Sequence, residues 1–190
     1  MSSSYPKEHK MIVKDLLDGK FILSNDTKYE IIRQFEAYYS EFFQESFEYK
    51  MILKSDFVYL ISNDSNENLS RDISIFLAVL CYELDKDGRN FLDSLNFNEF
   101  EHEQIDQYFE NTSYKDVIQS NKQLRDKPAR INFYNTLARR NIIEKSGDDR
   151  FLFTPAYKVF VEFAQEIAKS KSAGDEEVTG GSKEPDYSMN

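Results

Sequence analysis

Residues 129–154 switch hydrophobic period within a few positions, and that switch limits the folds open to this chain. At about 100° per residue, Phe133, Tyr134, Leu137 and Ala138 share one helical face, while Asn132, Thr136 and Arg139 fall opposite and Arg140 flanks them. Ser146-Gly-Asp-Asp149 then separates Ile142–Lys145 from Arg150–Thr154, two short runs suited to a tight β-hairpin. A short helix running straight into a two-stranded wing is half of a winged-helix unit.

The same switch occurs earlier. Ile12, Val13, Leu16 and Leu17 form a short amphipathic helix ending at Gly19, and Phe21-Ile-Leu23 reads as an apolar link. Asn25-Asp26-Thr27 offers caps for a helix carrying Ile31, Ile32, Phe35, Tyr38, Tyr39, Phe42 and Phe43. From Phe47 the period becomes two: Phe47, Tyr49, Met51 and Leu53 alternate, Ser55-Asp56 turns, and Phe57, Tyr59 and Ile61 alternate again. This predicts a hairpin with one buried face and a first winged-helix unit over residues 1–66, closed by the polar loop from Asn63.

Ile73, Phe76, Leu77, Leu80, Cys81 and Leu84 make the most regular helical stripe in the chain, stopped by Asp87-Gly88. Phe97, Phe100, Ile105, Tyr108 and Phe109 fit one or two shorter helices, and Tyr114, Val117, Ile118 and Leu124 another. Thr154-Pro155 supplies N-cap and N1 residues for a last helix. A second winged-helix unit is expected over 67–170, and 171–190 has too little apolar surface to order, so a disordered tail is expected there. The expected class is mainly α with small β-hairpins (α+β), two winged-helix domains in tandem.

Chemistry is sparse. The six glycines form no phosphate loop, and Cys81, the only cysteine, falls on an apolar stripe as a core thiol would. His9 and His102 are far apart, and Glu99, Glu101, Glu103 and Asp106 read as a solvated helix face. No catalytic residue, metal site or cofactor is expected. The N-terminus lacks an apolar signal region and no stretch approaches the roughly 20 apolar residues of a membrane span, so a cytoplasmic protein without membrane contact is expected.

Function is therefore expected to be binding. The chain carries a formal charge of −10, which repels a phosphate backbone, so any DNA contact needs a local patch. Between Lys122 and Arg150 there are eight basic and four acidic residues, a local +4. Arg139 and Arg140 either face phosphates or merely complement a helix C-terminus as a solvated face, and both readings stay open. The sixteen Phe and twelve Tyr point elsewhere. Tyr38, Tyr39, Phe42 and Phe43 cover an arc too wide for one buried stripe and are candidates for a dimer or partner interface.

In order and spacing, several blocks resemble the MukE family and more closely its MksE branch. They are Asp15-Leu-Leu-Asp-Gly-Lys-Phe-Ile22, the Phe35–Phe43 helix, Phe57-Val-Tyr-Leu-Ile61, Ser70-Arg-Asp-Ile73, Phe133–Lys145 and Phe151-Leu-Phe-Thr-Pro155. The resemblance spans about residues 11–168. It implies a non-enzymatic kite subunit of a bacterial SMC condensin (MukBEF/MksBEF-like) acting in chromosome organisation and segregation, associated with the nucleoid. Such a subunit dimerises and binds a kleisin (MukF/MksF-like) that bridges the heads of an SMC ATPase. It also implies weak, largely non-specific DNA contact by Lys127, Arg130, Arg139, Arg140, Lys145 and Arg150. Asp148-Asp149 at the wing tip argues against deep phosphate engagement there. Two alternatives stand beside this: a stand-alone winged-helix DNA-binding regulator, and the kite subunit of a plasmid-defence SMC system.

Overall fold

The computed structural model describes residues 6–62 and 67–163. The first unit runs α1 (His9–Leu17), β1 (Ile22–Leu23), α2 (Thr27–Gln34), α3 (Glu36–Phe47), β2 (Tyr49–Leu53) and β3 (Phe57–Ser62). The second runs α4 (Glu67–Lys86), α5 (Phe91–Phe97), β4 (Phe100–Glu101), α6 (His102–Asn111), α7 (Lys115–Ser120), α8 (Lys127–Arg139), β5 (Ile143–Lys145) and β6 (Arg150–Phe153). Residues 157–163 are again helical. Each unit ends in an antiparallel hairpin whose second strand also pairs a short strand from far upstream, giving orders β1-β3-β2 and β4-β6-β5. Helices, a short strand, more helices and a hairpin thus occur twice, and the chain is a tandem winged-helix protein, mainly α with small β elements.

Two expectations are corrected by these short strands. Phe21-Ile-Leu23 is no mere link, because Ile22 pairs with Val58 and Leu23 with Phe57. Phe100 lies in no helix, because it pairs with Phe151. A third correction concerns residues 27–43, read as one helix. The backbone departs from helical geometry at Phe35 (φ −116°, ψ 34°), and the break lets Tyr29 and Ile32 of α2 and Tyr39 and Phe43 of α3 reach the same core.

The hairpin's single buried face also needs correcting. Val58 is fully buried in the first core with Ile12, Leu16, Ile22 and Tyr39, whereas its neighbour Phe57 is buried in the second with Phe21, Phe76 and Phe133. Successive strand residues point to opposite faces, so β1 and β3 are covered on both sides where the units meet. Polar links tie the same seam. The Phe21 N–H donates to the Arg140 carbonyl at 3.0 Å, and Asn141, at φ +57°, donates from Nδ2 to the Phe21 carbonyl at 2.7 Å. Lys54 Nζ pairs with Glu162 at 2.9 Å and Lys158 Nζ with Asp56 at 3.2 Å.

The α4 stripe folds as its period predicts. Ile73, Phe76, Leu77, Leu80 and Leu84 are buried, each side chain contributing about 1.5–3 kcal/mol by leaving water. Cys81 packs partly buried against that core, and burial pushes its thiol up to about 11, which leaves a poor nucleophile. The expected tail at 171–190 lies outside the described residues.

Candidate functional site

The second wing and its preceding helix hold the candidate cations. Asp126 caps α8 by accepting from the Ala129 N–H at 2.9 Å, and Pro128 stands in the first turn, where its missing N–H costs nothing. Phe133, Tyr134 and Leu137 are buried, which aims Asn135 and Arg139, one turn apart, at solvent. The six basic residues then divide by what their charge already touches.

Arg130 faces inward. It is 2% exposed, and its Nε donates to Asp106 at 2.6 Å while Nη1 donates to the Leu124 carbonyl at 3.0 Å. Asp106 is itself buried, which corrects its reading as part of a solvated face, and Glu99 and Glu101 precede α6 altogether. With its donors directed into the fold, Arg130 presents no charge to a phosphate backbone. The pair instead clamps α6 to α8.

Arg150 is exposed but enclosed by carboxylates: Glu101 at 3.0 Å, Glu99 at 3.4 Å and Asp149 at 3.9 Å. Lys127 is exposed and only loosely paired, 3.6 Å from Asp106. Arg139 is exposed and donates to Thr136 Oγ1 at 3.2 Å, and exposed Lys145 donates to Asn135 Oδ1 at 2.6 Å. Because Asn135 and Arg139 share the outer face of α8, Lys145 and Arg139 stand on the same side of that helix. Arg140 points away from this face. Its guanidinium rests against Gly19 just past α1, so close that a Cβ there would meet Nη1 at 2.6 Å. Burial and the neighbouring Arg139 hold its pKa below the usual arginine value.

His102 is buried and stacks on Tyr134 with ring centroids 4.5 Å apart. Burial first, then the nearby Lys145, lowers its pKa, so the imidazole stays neutral at physiological pH. It braces the base of the wing. Among the described residues no three His, Cys, Asp or Glu side chains come together as a metal site would need. No described helix is long and apolar enough to cross a membrane.

The aromatic candidates split in the same way. Tyr39 and Phe43 are fully buried in the first core. Tyr38 and Phe42 are half-buried, and His9 covers the cluster, its ring 5.3 Å from Phe42 and 5.6 Å from Tyr39. Much of the wide apolar arc is thus occupied within the chain. The surface that remains comes from Tyr38 and Phe42, flanked by Phe35 and Phe47, which are 42% and 40% exposed.

Two winged-helix units, each with its own sheet and packed together across the first unit's sheet, place the chain in the tandem winged-helix class. The chain matches the family of condensin complex protein MksE over residues 7–165. It belongs to that family, as the resemblance in its sequence blocks implies, and is a condensin accessory subunit. No curated protein gave a significant match to the chain.

Proposed function

We propose that this subunit dimerises, binds an extended segment of a kleisin, and through it joins an SMC ATPase that organises DNA at the nucleoid. The remaining aromatic surface around Tyr38 and Phe42 serves the dimer or the kleisin. DNA meets a small edge made by Lys127, Arg139 and Lys145. Arg150 adds little because three carboxylates already screen it. Arg130 and Arg140 leave the DNA set because of where they point. The observation that carries this reading is the family match over residues 7–165. The charge layout supports its second part, since three outward cations on a chain of charge −10 fit only shallow, non-specific contact.

Parallel titrations of the full chain test it, one with labelled kleisin and one with two unrelated DNA duplexes. Kleisin should bind in the submicromolar range with little dependence on salt. DNA should bind far more weakly and without preference. Three phosphate contacts imply a loss of about 40-fold in DNA affinity between about 50 and 200 mM salt. Arg139→Glu with Lys145→Glu should remove DNA binding and leave kleisin affinity intact. A DNA specificity ratio above about 10³ without kleisin affinity would favour a free-standing regulator.

A further inference from the structure

Between the two units lies a groove of about 580 Å³. Leu17 and Tyr59 form part of one wall, Ile73 and Val159 part of the other, and Ile61 and Phe163 stand at its lip. Ile61 is 42% and Phe163 39% exposed, so two large apolar side chains border the opening. Arg140 also lines the groove. Its guanidinium is half-buried against Gly19, yet it makes no ion pair or side-chain hydrogen bond among the described residues. Of the two acids on the lining, Glu162 is held by Lys54 at 2.9 Å, and exposed Asp18, next to Gly19, makes no ion pair with Arg140. A partly desolvated cation without an anion is costly, and an incoming carboxylate removes that cost.

We infer that this groove is a docking site for a segment of a partner polypeptide in which apolar side chains flank an aspartate or glutamate whose carboxylate pairs with Arg140. The charge and the walls together select this occupant. A nucleic-acid backbone brings a phosphate at every step, and here each beyond the first would lie against Ile61 and Phe163 or near Asp18 and Glu162. One carboxylate between apolar neighbours meets no such penalty. The inference rests on the reading of the chain as a kleisin-binding subunit, and it assigns the kleisin's acidic-apolar segment to this groove.

The test measures kleisin affinity of the full-length chain as wild type, Arg140→Glu, Arg140→Lys and Ile61→Asp, with thermal melts as a folding control. Arg140→Glu should weaken kleisin binding at least about 30-fold. Arg140→Lys should recover part of that, since an ammonium keeps the charge and loses the planar fork. Ile61→Asp, an exposed position that leaves the fold intact, should cost about 10-fold. A benzophenone amino acid at Ile61 should cross-link to a kleisin peptide containing Asp or Glu. A wild-type chain that fails to bind kleisin would overturn the functional reading and this inference together. Wild-type binding that is unchanged in Arg140→Glu and Ile61→Asp would overturn the groove alone, as would cross-linking only to the chain's own tail or to a second copy.

Discussion

Arg130→Ala is expected to destabilise the protein by about 3–5 kcal/mol, the usual cost of removing one partner from a buried ion pair. Both members are withdrawn from solvent, with side chains 3% and 10% exposed and Nε 2.6 Å from the carboxylate. Truncation leaves the Asp106 carboxylate buried with only Lys127, 3.6 Å away, and leaves the Leu124 carbonyl without the Arg130 Nη1 donor. In a chain of this size the loss corresponds to a fall of roughly 6–20 °C in melting temperature. Replacing both partners with apolar residues of similar volume, Arg130→Met with Asp106→Leu, should recover much of the loss, because the desolvation cost then disappears on both sides. Urea melts of the three variants check this. Unchanged stability in Arg130→Ala, with a reduced salt slope for DNA, would mean that Arg130 swings outward in solution and belongs to the DNA edge after all.

Phe76→Ala is the second large effect, again about 3–5 kcal/mol. Phe76 is fully buried at a junction of four rings, with centroids of Phe109 and Phe133 at 5.5 Å, Tyr134 at 6.0 Å and Phe153 at 6.2 Å. Those rings come from α6, α8 and β6, so a cavity there loosens three elements at once, and close-packed neighbours collapse into it only partly. Phe97→Ala makes the comparison. That side chain is 77% exposed, and its removal should change stability by no more than about 0.5 kcal/mol. A loss below about 1.5 kcal/mol for Phe76→Ala in the same urea melts would mean that the second core is loosely packed.

What the sequence made legible follows from range. The stripe on α4, the buried face of α8 and both hairpins depend on residues within one or two turns of each other, where periodicity is a sufficient guide. The strands β1 and β4 are two residues long and their partners stand far along the chain, Ile22 with Val58 and Phe100 with Phe151. Two residues carry no period. Nor does any local pattern show that β3 has a core on each face, because Phe57 is covered by residues from the other unit.

The candidate site was half legible. Arg130 and Arg139 are nine residues apart, and at about 100° per residue that places them on opposite sides of α8. Arg130 shares its phase with Phe133, Tyr134 and Leu137, all buried, so the helix phase already marked it as inward. Grouping the basic residues by proximity in sequence concealed that signal. The placement of Arg140 had no such signal, since the groove it lines is assembled from positions between Leu16 and Phe163. The carboxylates around Arg150 were equally hidden, because Glu99 reaches it only through the pairing of β4 with β6.

The central claim is that this protein works by holding a kleisin, and light scattering on the full-length chain, alone and co-expressed with a kleisin from the same genome, tests that most directly. Alone, the chain should elute at about twice its 22.4 kDa mass. With the kleisin, both polypeptides should leave the column in one peak, with a mass equal to the dimer plus bound kleisin. Separate peaks for the two polypeptides at micromolar concentration would contradict the account.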